Sequence, residues 1–203
     1  HRFYTTVRAT AGLFTTYVSD FIVTGGAGTA LDPIRYENSD VPLGTIGGEL
    51  ELKREWRQGW MLSASYGYAR SVFLEREEVG ALLSLDRDPD SREVSNAPQH
   101  LAALKGAVPI ITRGLTAATR LSFETGRYDR FEQAGQEPQR RTDWVVVWDL
   151  VLSGVEPRWG VRYALGVYNA FDWSYALPAS EEFRQRVIPQ SGRTLLASAD
   201  VAF

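Results

Sequence analysis

Apolar and polar residues alternate with period two along most of this chain. In the clearest segment, Leu115, Ala117, Thr119, Leu121 and Phe123 alternate with Thr116, Ala118, Arg120, Ser122 and Glu124. Near residue 65, Trp60, Leu62, Ala64, Tyr66 and Tyr68 stand against Met61, Ser63, Ser65, Gly67 and Ala69. Glu49, Glu51 and Lys53 oppose Leu50 and Leu52. Successive side chains of a strand point to opposite faces, so each segment predicts a strand with two unlike sides. Read this way, the sequence predicts eight strands, near 3–23, 34–56, 60–73, 99–110, 115–127, 143–153, 160–172 and 193–203.

The connections carry the stronger signal. Three are tight: Arg57-Gln58-Gly59, the segment 111–114 and the segment 154–159. Four are longer: 24–33, 74–98, 128–142 and 173–192. Long and short alternate strictly, which puts all the long loops at one end of a sheet built in sequence order. An up-and-down barrel crossing an outer membrane has this rhythm, with short periplasmic turns and long outer loops. The aromatics suit it. Trp56, Trp60, Trp159 and Phe203 fall at the short-turn ends, and Tyr128, Trp144, Phe171, Trp173 and Tyr175 at the long-loop ends. Two aromatic belts bracketing an apolar band are expected where rings sit at membrane interfaces. The last segment places Leu195, Ala197, Ala199, Val201 and Phe203 on one apolar face.

Alternation then assigns a polar face. Arg8, Glu49, Glu51, Lys53, Lys105, Arg120, Glu124, Asp149, Arg162 and Asp200 are the expected lumen-facing residues. A Lys or Arg facing lipid at the bilayer midplane costs about 2–4 kcal/mol, so these charges are expected inside. They would line a wet wall or meet a plug. Leu50, Leu62, Leu121, Trp148, Leu165 and Val201 are expected on the convex, lipid-facing side.

Composition narrows the alternatives. The chain has 203 residues, enough for one domain or one section of a larger one. No run of 18 apolar residues exists, which excludes a transmembrane helix but not a barrel. There is no Cys, hence no disulfide framework and no thiolate metal site. A net charge of −3 gives no case for a nucleic-acid partner. No signal peptide is visible and the chain starts at His1, which reads as processing or truncation, with truncation favoured because the first residues already alternate.

Several stretches resemble a known family. They are Tyr36-Glu37-Asn38-Ser39-Asp40, Gly47-Gly48-Glu49-Leu50-Glu51-Leu52, and Gly59-Trp60-Met61-Leu62-Ser63-Ala64-Ser65-Tyr66. Asn96-Ala97-Pro98-Gln99-His100, Gly166-Val167-Tyr168-Asn169-Ala170-Phe171-Asp172, and Gly192-Arg193-Thr194 through Phe203 follow. In this order the chain resembles the late barrel of TonB-dependent outer-membrane receptors, over nearly its whole length. The resemblance implies an all-β, antiparallel up-and-down transmembrane barrel in which residues 1–203 are the C-terminal portion, the last eight strands of 22, with no plug domain and no TonB box in the sequence. It implies an integral protein of the bacterial outer membrane that helps import a scarce ligand such as a siderophore or cobalamin. The implied partners are outer-membrane lipid and lipopolysaccharide, the barrel assembly machinery, a small-molecule ligand, and the plug and TonB system through missing N-terminal sequence. It implies that Phe203 is part of an assembly signal in the last strand.

Catalysis finds little support. The two histidines are His1 and His100, and neither a G-x-S-x-G elbow nor an H-E-x-x-H helix occurs. His100 reads as a strand-start residue near the outer interface. Gly25-Gly26-Ala27-Gly28 has no helix pattern after it, so it reads as a flexible outer loop and not a phosphate cradle. Asp86-Arg87-Asp88-Pro89-Asp90, within the acidic cluster Glu75, Glu77, Glu78, Asp86, Asp88 and Asp90, lacks the glycine and distant glutamate of a calcium loop. It reads as solvated, with a divalent-ion or lipopolysaccharide-bridging contact as the other reading. No enzyme activity, metal or cofactor is expected. Two other architectures remain open: a complete eight-stranded barrel with a structural or adhesive role, and a soluble β-sandwich that binds carbohydrate or protein. The small residues Ser63, Ser65, Gly67 and Ala69 speak against the first. A closed eight-stranded barrel is filled by its side chains.

Overall fold

The computed structural model describes residues 6–26, 29–33, 35–74, 93–111, 114–129, 140–180, 183 and 185–201. The strands are β1 (Thr6–Val18), β2 (Ile22–Gly25), β3 (Arg35–Asn38), β4 (Leu43–Glu55), β5 (Met61–Phe73) and β6 (His100–Ile111). They continue with β7 (Leu115–Glu124), β8 (Val145–Glu156), β9 (Val161–Tyr168), β10 (Ala176–Pro178), β11 (Val187–Pro189) and β12 (Thr194–Val201). Eight form one antiparallel sheet in the order β1-β4-β5-β6-β7-β8-β9-β12. The pairs β2–β3 and β10–β11 are small hairpins inserted in two of the long connections. Apart from those insertions the order is that of the chain, a meander without a Greek-key crossover.

Two expected strands were too long. The segments 3–23 and 34–56 each divide, giving β1 and β2, then β3 and β4. Asp20 adopts a positive φ of 55°, which ends β1. Beyond β3, the Ser39 hydroxyl accepts from Val41 N at 3.2 Å and donates to Val41 O at 2.8 Å, turning the chain before Pro42. Of the glycine-rich stretch, Gly25 and Gly26 are described, while Ala27 and Gly28 lie outside the described residues. Gly25 closes β2, and Gly26 takes φ 91° where the hairpin turns. Asp32 and Glu37 both hold Arg35 on this hairpin, at 2.6 and 3.0 Å.

The three tight connections share one device. Gly59, Gly114 and Gly160 have φ of 84°, 82° and 61°, a region that a side chain disfavours. In the first, Gly59 N donates to Trp56 O at 3.0 Å and Trp56 N to Trp60 O at 3.0 Å. Near the second, the β6–β7 register shifts between Pro109 and Ile111, where proline cannot donate to the ladder.

No second layer packs on this sheet among the described residues. Their buried apolar residues are Val72, Leu74, Tyr128, Val145 and Ala179, gathered toward the long-loop end. One face instead exposes large apolar side chains on seven of the eight strands, including Leu13, Leu50, Leu62, Leu104, Leu121, Leu165 and Leu195, while those of β8 are half-buried. A β-sandwich would bury that face against a partner sheet, so the soluble-sandwich reading is set aside. The sheet does not close on itself either: no pairing joins β1 to β12 among the described residues. It is an open eight-stranded wall.

At the long-loop end the wall has its own small core. Strand β5 runs past its ladder with β6, which starts at Tyr68 and His100, and its upper part pairs with the segment before β6. Val94 N donates to Ser71 O at 3.2 Å, and Val72 bridges Glu93. Arg70 has the parity of the apolar face, yet it is buried and meets Glu93 at 3.3 Å. The aromatic belt expected at this end is also modified. Trp144 and Phe171 are exposed, and Trp144 packs on Trp173 at 4.8 Å between ring centres. Tyr128 is not part of the exposed belt. It is buried because it bridges Arg141, whose guanidinium lies 5.6 Å over its ring.

Candidate functional site

Residues paired directly across an antiparallel ladder share a face, so the register places every candidate. Arg8 pairs with Lys53, Lys53 with Ser63, Ser63 with Lys105, Lys105 with Arg120, and Arg120 with Asp149. This single row crosses six strands. The next row runs through Thr10, Glu51, Ser65, Ala103, Ser122 and Val147. The row above it holds Gly12, Glu49, Gly67, Leu101, Glu124 and Val145. Arg162 and Asp200 pair on β9 and β12, on the same face but toward the far edge. All ten polar candidates therefore lie on one side of the sheet. Leu50, Leu62, Leu121, Trp148, Leu165 and Val201 lie on the other.

The polar side is concave. A cavity of about 630 Å³ lies against it, floored by Glu51, Lys105, Arg120 and Asp149 and overhung at the loop end by Arg127, Tyr175 and Leu177. Most of its carboxylates are committed. Arg127 takes Glu124 in a fork, Nε to Oε1 at 3.2 Å and Nη2 to Oε2 at 2.8 Å. Glu51 accepts from the buried Ser63 hydroxyl at 3.3 Å. Asp149 Oδ1 accepts from Asn169 N at 3.0 Å. Lys53 pairs with Glu55 at 2.7 Å. His100 lies on the opposite, apolar side, where Tyr66 meets its Nδ1 at 2.7 Å.

Sequence reasoning did not find the residues that fix the loops over this cavity. Arg127 reaches Asn96 Oδ1 at 3.0 Å, and Asn96 N donates to Tyr128 O at 2.8 Å. Asp129 accepts from Arg140 N at 2.7 Å and from Arg186 Nε at 2.8 Å. Asn169 is buried, with φ 50°. Its Nδ2 donates to Trp173 O at 2.9 Å and its Oδ1 accepts from Trp173 N at 2.9 Å. Asp172, at φ 56°, accepts from Arg193 N at 2.8 Å and so starts β12. The Asn-Ala-Phe-Asp run carried a usable signal, since Asn and Asp tolerate positive φ. Asn169→Ala leaves both Trp173 backbone groups unpaired and should cost about 1–3 kcal/mol. A lowered urea midpoint in phospholipid vesicles would read this, and an unchanged midpoint would remove Asn169 from the account.

Phe203 and the acidic cluster Glu75, Glu77, Glu78, Asp86, Asp88 and Asp90 lie outside the described residues, as does His1. Among the described residues no group of three or more His, Cys, Asp or Glu side chains could hold a metal ion. No described helix is long and apolar enough to cross a membrane, which says nothing of strands.

No protein-family model matches the chain. No curated protein matches it either. Among solved structures, the ferric-catecholate import receptor Fiu from Escherichia coli K12 matches with a TM-score of 0.68 and 19% identity over 97% of this chain. The outer membrane transporter YddB from Escherichia coli matches with a TM-score of 0.65 and 16% identity over 95%. FpvA of P. aeruginosa, solved with a ferric pyoverdine, matches with a TM-score of 0.66 and 15% identity over 95%. The chain spans 25%, 30% and 24% of those structures' own lengths. These neighbours are TonB-dependent receptors. The eight-stranded wall has the fold of one section of such a barrel.

Proposed function

We propose that a chain with this fold is the C-terminal part of the barrel of a TonB-dependent outer-membrane receptor, working in import and not in catalysis. The observation that carries the reading is the division of one uncovered sheet. Exposed apolar side chains dominate the convex side, where Arg54, Arg70 and Glu156 sit toward the strand ends, and the ten acidic and basic candidates lie on the concave side, in a meander with tight turns at one end. Lipid supports the first face and water the second. The similarity to import receptors supports the class of function. The open edges β1 and β12 suit a wall continued by further strands, more than a complete eight-stranded barrel. Arg8, Glu49, Glu51, Lys53, Lys105, Arg120, Glu124, Asp149, Arg162 and Asp200 then face the lumen, toward a plug or a passing ligand. Lipid and lipopolysaccharide meet the convex side, and the assembly machinery inserts the barrel.

The test uses the whole gene product, with whatever sequence flanks these residues. It should fractionate with the outer membrane, resist alkaline extraction and migrate faster unheated than boiled. The periplasmic domain of TonB should retain it. Recovery in the soluble fraction, with migration unaffected by boiling, would refute the reading. Outer-membrane residence without TonB retention would leave a barrel of another class.

A further inference from the structure

The β4–β5 turn closes a small corner on the convex side. Arg54 pairs across the ladder with Val7 on β1 and Leu62 on β5, so it takes the apolar face. Trp56 N donates to Trp60 O, which carries this register into the turn and gives both tryptophans the parity of Arg54. Arg54 is exposed, and its guanidinium lies 4.6 Å over the Trp56 ring. Its side chain makes no ion pair among the described residues. The acids that could answer it are placed elsewhere. Glu55 has the parity of the concave side, where Lys53 holds it at 2.7 Å. Glu156 is the convex carboxylate at this rim among the described strand residues. It lies on β8, four strands away in the sheet, and takes Arg158 N at 3.2 Å. An arginine thus stands on the apolar face at a strand end, stacked on an aromatic ring and without a protein counter-ion. The cost of a charge on a lipid face falls nearly to nothing at the interface, where the headgroups begin.

We propose that Arg54, Trp56 and Trp60 form a headgroup site for an anionic phospholipid of the periplasmic leaflet. Stacking uses the flat face of the guanidinium and leaves its edge N–H donors free to take phosphate oxygens in a fork. Indole rings favour the same depth, at the membrane interface. Beside the corner, Leu50, Leu52 and Leu62 are exposed and offer the acyl chains an apolar bed. Gly106, across from Leu62, leaves a notch in that bed: a Cβ there would meet Thr119 Cγ2 at 3.5 Å and Met61 O at 3.9 Å. A headgroup that carries its own ammonium answers its phosphate internally. A net negative headgroup finds its counter-ion in Arg54, so phosphatidylglycerol is the lipid this corner fits. The site rests on the reading of the convex side as lipid-facing, with this turn at the periplasmic interface.

The experiment replaces Leu52 with photoreactive p-benzoylphenylalanine in the full-length chain. Leu121, in the same row of the convex face but three strands away, is replaced in the same way as the control. Each protein is refolded into vesicles of phosphatidylethanolamine and phosphatidylglycerol in equal amounts and irradiated. Mass spectrometry then reads the headgroups of the crosslinked lipids. An arginine near a membrane surface favours an anionic lipid about fivefold. The phosphatidylglycerol-to-phosphatidylethanolamine ratio at position 52 should therefore be about five times that at position 121. R54Q should make the two ratios equal. The comparison with Arg54 in place stands by itself should R54Q fail to insert. Equal ratios with Arg54 in place, or an enrichment that survives R54Q, would overturn the site and leave the convex side facing lipid. Lipid adducts at 121 and none at 52 would show another segment of the chain covering the corner, and that also overturns the site alone. No lipid adduct at either position would overturn the lipid-facing reading and the site together.

Discussion

Leu121→Arg should destabilise the inserted barrel by about 2–4 kcal/mol, the cost of an arginine on the lipid face near the midplane. Leu121 sits mid-strand on β7 and pairs with Leu104 on one side and Trp148 on the other. The three form a continuous apolar strip in which a guanidinium finds no water and no carboxylate. Ser65→Arg puts the same side chain on the opposite face, directly across from Glu51. It should change stability by no more than about 0.5 kcal/mol, as surface substitutions do. Equilibrium refolding into phospholipid vesicles, followed by the gel shift on boiling, gives both values. A larger loss for Ser65→Arg than for Leu121→Arg would invert the faces. Because the side-chain period is two, it would invert them for whole strands at once.

The second large effect lies in the loops. The Asp129 carboxylate is only 3% exposed and holds Arg186, which is 57 residues away in sequence. It also accepts from the Arg140 backbone at 2.7 Å. This one side chain therefore joins the connection after β7 to the β10–β11 hairpin, whose Leu177 overhangs the cavity. Removing one partner of a buried pair costs about 3–5 kcal/mol, because the other charge stays buried. Arg186 is about one-fifth exposed, so Asp129→Ala belongs at the lower end. A loss of about 3 kcal/mol is roughly a hundredfold in an opening equilibrium. Amide hydrogen exchange in residues 127–129 and 176–190 should quicken by about that factor, while the strands below keep their protection. Unchanged exchange in both segments would show that the two loops are held together by other contacts. Asp129→Asn keeps one of the two acceptor oxygens and loses the charge, so its effect should fall between wild type and Asp129→Ala.

Much of this architecture was legible in the sequence because a two-faced meander sheet is specified by local rules. Each strand presents mostly apolar groups to one side and most of its charge to the other, so alternation within ten residues assigns the face. Loop lengths and turn glycines such as Gly59 and Gly114 then order the strands, and neighbours in sequence pair in space. Elsewhere the same alternation misled. It runs through Asp20 and through Ser39-Asp40, where a positive φ and a serine-bonded turn divide the expected strands in two. Period two cannot register a break that keeps the parity of the residues on either side. It also gave Arg70 to the apolar face, where only the neighbouring segment with Glu93 makes a charge tolerable.

By itself, the sequence determined which face each strand residue takes and the order of the strands, because both follow from spacing along the chain. Only the tertiary structure decided which charges are answered. Lys105, Arg120, Glu124 and Asp149 look alike as polar positions in alternating strands. Arg127 folds back on Glu124 across the turn at Gly126, and Asn169 reaches Asp149 from β9's end. Lys105 and Arg120 face the cavity side by side, with Asp149 across the ladder from Arg120. Likewise nothing near Asp129 in the sequence announces Arg186. Such pairings depend on where loops far apart in the chain are brought together. A carboxylate's environment comes from those neighbours, not from its own place in the pattern.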